Sequence, residues 1–276
     1  SAASTSPLYT VLLSIGYRLN VPYVWWTHAL GWVALSAAAI TAARMAAHLL
    51  PHDRRLPWAA GLALIGAWHL TWAAVSGMET MLFCMWTLIL MSLAWRECDE
   101  ADTNLRAILG RSVIFGVVAA LTALTRPEGV MLVGIIGISM LLLRPQGSLK
   151  NVIQWGLGSG IAFILVLSPY LSFNIAQTGG LLPDTAAAKM AETAFLLQVP
   201  YLERLSTVVY PLIAGVQLLL IPGIVYFVWK LVMRLRRETK AAIYLLPLIW
   251  AIALIALYAA RLPVAYQHGR YVIPAL

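Results

Sequence analysis

Eight stretches of this chain run with few or no charges: 22–43, 57–75, 77–95, 110–125, 129–143, 152–173, 208–232 and 241–261. A helix needs roughly 20 apolar residues to cross the hydrocarbon core of a bilayer, within a range of about 17–25. Lipid leaves only helices and closed barrels able to satisfy every backbone group, and these runs are continuous where a barrel strand would alternate. They are therefore expected to be helices. The fourth and fifth are shorter than the rest and are joined by a turn containing Pro127. Composition agrees, with 61% hydrophobic and 11% charged residues against about 25% charged in an average soluble domain. The expected fold is an all-α, polytopic transmembrane helical bundle of about eight spans. It forms a single transmembrane domain over 1–276, with an outer interfacial segment at 1–20 and an outer loop at 174–207.

The net charge of +8 is explained mainly by topology. Loops 44–56, 96–109, 144–151 and 230–240, with Arg111 at their edge, hold 13 of the 19 basic residues. The other face holds six: Arg18, Arg126, Lys189, Arg204, Arg261 and Arg270. The first face is thus expected to be cytoplasmic. Thirteen bases against six acids leave +7 there, and six against five leave +1 outside. The basic excess is accordingly no sign of a nucleic-acid partner; membrane lipids are the expected surroundings. Cys84 reads as mid-span and Cys98 as a loop residue, so no disulfide is expected. Gly156 and Gly160 form a GxxxG helix-packing signal. The chain starts at Ser1 and stops inside the apolar run 271–276, and both ends read as cuts through a longer protein.

The outer charges gather into short polar words at helix ends. These are Ser76-Gly-Met-Glu-Thr80, Thr125-Arg-Pro-Glu-Gly129, 178–185 with Lys189, and Tyr266-Gln-His-Gly-Arg-Tyr271, and span counting puts all four on one side. Glu79 is either a solvated turn acid, favoured near a helix N-terminus, or a carboxylate of a polar site at the hydrocarbon boundary. Arg126 and Glu128 flank Pro127, which breaks the helix. They read either as an ion pair closing the broken helix ends or as an Arg fork for phosphate or sugar hydroxyls, oriented by Glu128. Asp184 suits a helix cap before Thr185, and Lys189 either snorkels to lipid or neutralises an anionic lipid substrate. Arg270 and Tyr271 offer donors for phosphate, with His268 as a proton donor; interfacial anchoring is the alternative for the Arg and Tyr. The other histidines, His28, His48, His52 and His69, are dispersed and read as packing or interface residues. No metal-ligand cluster, phosphate loop or hydrolase motif is present in the sequence, and the question of a divalent metal stays open.

In order along the chain, Thr5-Ser-Pro-Leu-Tyr-Thr10, Ser76-Gly-Met-Glu-Thr80, Thr125-Arg-Pro-Glu-Gly129, Leu182-Pro-Asp-Thr185 with Lys189, and His268-Gly-Arg-Tyr271 resemble bacterial multi-spanning glycosyltransferases of the GT-C superfamily. The similarity is to the protein mannosyltransferase, aminoarabinose transferase and arabinofuranosyltransferase groups, and it spans nearly the whole chain. It implies an active site at the outer face, a polyprenyl-phosphate-sugar donor, and a glycan, lipid or protein acceptor outside the cytoplasm. It also implies an acidic pair in a first outer loop ahead of the Ser-Pro-Leu segment, upstream of where this chain begins. On that reading the general base belongs to that upstream acidic pair. Arg126, Lys189 and Arg270 bind the donor phosphate, with Asp184 and Tyr271 as further substrate-binding residues. Glu79, Glu128 and His268 are the catalytic candidates in this chain, the two acids shaping the sugar or acceptor pocket and His268 assisting. Two rival classes remain: a lipid or small-solute transporter, which also needs charges at a broken helix, and a noncatalytic membrane subunit of a larger complex.

Overall fold

A computed structural model describes residues 4–99, 104–144, 148–180, 191–213, 221–236 and 238–276, and among these the regular structure is helical with no strand. The first helix, α1 (Pro7–Arg18), carries Pro7 at its first position, where the missing N–H is no loss. It corresponds to the expected interfacial segment. Next come α2 (Tyr23–Leu49), α3 (Leu56–Gly66), α4 (Trp68–Val75) and α5 (Thr80–Asp99). They are followed by α6 (Leu105–Thr125), α7 (Gly129–Leu143) and α8 (Leu149–Thr178). Polar caps start two of these: the Asn104 side chain accepts from the Arg106 N–H, and Ser148 from the Asn151 N–H. The last part holds α9 (Tyr201–Ile213), α10 (Ile221–Leu235), and a 3-10 turn (Thr239–Leu245) that continues into α11 (Leu246–Arg261).

Five helices are long and apolar enough to cross a membrane: Tyr23–Leu49, Thr80–Asp99, Leu105–Thr125, Leu149–Gln177 and Thr239–Arg261. A sixth span forms if α3 and α4, bent by 56°, count as one. The eight expected spans are thus not all present as single crossing helices. The 57–75 run breaks at Ala67, whose extended ψ of 106° interrupts the helix. At 15 residues, α7 is roughly 22 Å long, short of the ~30 Å hydrocarbon core. The 208–232 run, which contains Pro211 and Pro222, is seen as parts of α9 and α10 on either side of 214–220, residues outside the described set. Cys98, expected in a loop, lies in the last turn of α5.

The central element is α5, which is apolar on every side up to its last turn and feeds two packed clusters. Phe83, Leu90 and Met91 join α6, α7 and α11 in one; Met81, Cys84 and Met85 join α1, α2 and α4 in the other. At the opposite extreme, α3 buries no residue and is peripheral. The most extensive helix pair is α6 with α8, and its seam corrects the GxxxG expectation. Trp155, Ser159 and Ala162 are buried, so the inward face of α8 excludes Gly156 and Gly160, where an added Cβ would meet open space. The close approach uses Gly116, against the Ser159 carbonyl, and Gly158, against the Ser112 hydroxyl.

Polar groups collect at the two ends of the bundle. At the end where α2 and α5 finish, His48 Nε2 lies 2.7 Å from Asp99, and Tyr244 donates to the same carboxylate at 2.8 Å. Nearby, Arg111 makes two hydrogen bonds, 2.9 and 3.2 Å, to buried Glu97. The end where α5 begins and α6 finishes holds the candidate site.

Candidate functional site

A residue before proline is pushed out of helical geometry, and Arg126, ahead of Pro127, is extended at φ −152°, ψ 139°. That ends α6 and turns the Arg126 side chain into the protein, where the residue is 4% exposed. Its Nη2 donates to the Tyr258 hydroxyl at 2.7 Å and to Glu128 Oε1 at 3.3 Å; its Nη1 donates to the Arg270 carbonyl at 3.5 Å. The guanidinium also lies 5.3 Å from the ring centroids of both Phe83 and Tyr271. A buried charge survives only when paired and hydrogen-bonded, and Arg126 has both. Glu128 keeps its second oxygen, Oε2, buried with no hydrogen-bond partner among the described residues.

The second word folds by a different device. Gln267, His268 and Gly269 take φ of 49°, 59° and 71°, three successive left-handed residues. Gly269 is needed twice: by that φ, and because an added Cβ would stand 2.9 Å from Pro211 Cβ. Such strain persists only where its surroundings enforce it. Here it delivers Arg270, whose Nη1 donates to Gln267 Oε1 at 2.8 Å and whose Nη2 donates to the Tyr271 hydroxyl at 3.1 Å. Its Nε is buried with no hydrogen-bond partner among the described residues. Tyr271 stacks on Tyr258 at 5.3 Å, tying this turn to α11. The third word is the turn between α4 and α5, where Gly77 has φ 70° and places Glu79 at half-burial.

These groups line one cavity of about 740 Å3. Glu79, Arg126, Glu128, Arg270 and Tyr271 all reach it, so the structure brings together five of the eight residues expected from sequence. His268 is not among its lining residues; the imidazole packs edge-on against Trp68 and Trp72, at 5.2 and 5.1 Å. Asp184 and Lys189 lie outside the described residues. The cavity adds Ser4, Ser6 and Tyr9 from the N-terminal segment, and Tyr258 and Arg261 from α11. Burial, and then the neighbouring Tyr23 and Glu79, push the Tyr9 phenol well above the ordinary tyrosine range, so it stays a neutral donor. Sequence reasoning missed Tyr9, Tyr258 and Arg261. The available signal was the three-residue spacing of Tyr258 and Arg261, which puts both on one face at the end of α11.

Glu79 forms no ion pair among the described residues, and Arg261 is exposed at the cavity. The cavity thus offers two acids, three arginines and several hydroxyls, over walls that include Met131 and Leu257. No group of three or more His, Cys, Asp or Glu suited to a metal occurs among the described residues.

Fold and site together define a helical membrane protein with a charged cavity at one end of its bundle. Over 202 residues the chain is 28% identical to a terminal beta-(1->2)-arabinofuranosyltransferase of Corynebacterium glutamicum, a match covering 68% of this chain. The match spans 28% of that relative's length. No protein-family profile and no solved structure matches the chain.

Proposed function

We propose that this chain is the core of a membrane glycosyltransferase that moves a sugar from a polyprenyl-phosphate carrier to an acceptor hydroxyl outside the cytoplasm. The observation that carries the reading is the cavity itself, where Glu79, a carboxylate with no ion pair among the described residues, shares a partly apolar chamber with Arg261 and Arg270. The likeness to an arabinofuranosyltransferase supports sugar transfer in general and makes a pentofuranosyl group the sugar to test first.

In this reading the acceptor hydroxyl loses its proton to Glu79 as its oxygen bonds to the anomeric carbon. The bond from that carbon to the phosphate oxygen breaks, and the phosphate leaves with the electron pair. Arg270 and Arg261, with Lys189 of the outer loop, hold the departing phosphate. Arg126 is spoken for by Tyr258 and Glu128, so it braces the chamber and keeps Glu128 facing the sugar hydroxyls. His268 acts through the indoles it packs against, by holding the Arg270 turn. Asp184, like Lys189 outside the described residues, is assigned to substrate binding beside it.

The test uses the full-length protein in membrane vesicles, a radiolabelled polyprenyl-phosphate pentose, and an extracted acceptor glycan. Arg270→Gln and Glu79→Gln are each expected to lower kcat by about 100-fold or more, with the protein still extracted in folded form. Normal turnover in both variants overturns the reading.

A further inference from the structure

At the far end of the bundle from this cavity, α10 lies beside the C-terminal part of α2 and leaves a groove of about 310 Å3. Leu49, Leu50 and Leu56 form one wall, and Gly223, Phe227 and Leu231 the other. Lys230 and Arg234 stand at the end nearer Tyr244. Positions 223, 227, 230, 231 and 234 recur every three or four residues, so they share one face of α10. The rise from Gly223 to Arg234 is about 16 Å, close to one leaflet's half of a ~30 Å hydrocarbon core. An added Cβ at Gly223 would meet open space, so the apolar end of the groove is unfilled.

The charged end has more cation than anion. Lys230 lies over the rings of Tyr226 and Trp229, at 5.5 and 5.4 Å, and forms no ion pair among the described residues. Arg234 lies 4.8 Å from the Tyr244 ring, and its carboxylate partner Glu238 is 3.7 Å away and exposed to solvent. Asp99 is taken by His48 and Tyr244. The same contacts fix Tyr244, and with it the cation resting on its ring.

A soluble anion would use the two cations and leave the leucine walls idle. A zwitterionic lipid would use the walls but bring its ammonium to a cationic end. An anionic phospholipid matches both parts, as basic sites between membrane helices do. We infer that this groove binds one anionic phospholipid from the leaflet beside the basic loops. Its phosphate lies at Lys230 and Arg234, and one acyl chain lies along α10 toward Gly223.

Native mass spectrometry of the detergent-purified full chain tests this, with phosphatidylglycerol, phosphatidylcholine or glycerol phosphate added. One phosphatidylglycerol is expected to stay bound per chain, in preference to phosphatidylcholine. Lys230→Gln with Arg234→Gln is expected to weaken retention on the order of 30-fold. Lys230→Arg keeps retention, which separates lost charge from lost folding. Gly223→Phe fills the apolar end and weakens retention with no change of charge. Equal retention of the two lipids, or retention unchanged by the double substitution, overturns the site. Competition by glycerol phosphate as strong as by the intact lipid also overturns it, because the groove would then contribute nothing.

Discussion

At the scale of single residues, the site is organised around a cation that is itself held from every side. Arg126 contacts four elements, and Tyr258 gives it its shortest bond, 2.7 Å. Tyr258→Phe keeps the ring on Tyr271 but leaves a buried N–H with only Glu128 at 3.3 Å. Losing one partner of a buried charged group costs about 1–3 kcal/mol. The variant is expected to fold, to unfold at a lower temperature in detergent, and to transfer sugar more slowly as Glu128 loosens with its partner. A thermal midpoint and turnover equal to the parent would mean the phenol contributes nothing. The Arg126–Glu128 pair was legible in sequence because Pro127 forces a turn between two charges at membrane depth. Tyr258 was not, because a tyrosine within a span reads as core until a buried arginine is seen beside it. His268 shows the reverse: its polar neighbours in sequence point to the cavity, while its left-handed backbone carries the imidazole to the Trp68 and Trp72 rings.

At the scale of elements, apolar content predicted where helices exist far better than which faces meet. A helix inside a bilayer is apolar on its lipid face and its packed face alike, so periodicity carries little orientation. Small residues are then the main clue, and in α8 the obvious pair, Gly156 and Gly160, faces open space. The seam instead uses Gly116, whose Cβ position is occupied by the Ser159 carbonyl. Gly116→Ala therefore forces α6 and α8 apart and is expected to destabilise by about 1–3 kcal/mol, as overpacking does. Gly156→Ala adds a methyl to an open face and removes a helix glycine, an effect of at most about 1 kcal/mol and in the stabilising direction. Thermal unfolding of both variants in one detergent tests the assignment; equal effects would place the seam elsewhere. The break at Ala67 was less readable, since a span expected from hydropathy says nothing about a bend inside it.

At the scale of the whole molecule, two polar ends with different characters are separated by apolar helices. One end gathers Glu79, Arg126, Glu128, Arg261 and Arg270 around a cavity. The other carries the His48–Asp99–Tyr244 network and the Glu97–Arg111 pair. Counting charges by loop anticipated the separation of these two polar groups, although only five helices, or six with the bent α3–α4 pair, are long and apolar enough to cross a membrane. The three described polar words meet as that count requires, even though α3–α4 is bent and α7 is short. The proposed function takes the second end, with its excess of Lys and Arg, as the cytoplasmic one, and transfer outside the cytoplasm depends on that orientation. Arg18 and Arg54 lie at opposite ends and both are exposed, whereas native Cys84 is buried and Cys98 only partly exposed. In a background with Cys98→Ser, Arg18→Cys is expected to react with a membrane-impermeant maleimide in intact cells. Arg54→Cys should react only after the membrane is opened. The reverse pattern would put the cavity on the cytoplasmic side, where an extracytoplasmic acceptor cannot reach Glu79, and the proposed direction of transfer would fall while the cavity chemistry stood.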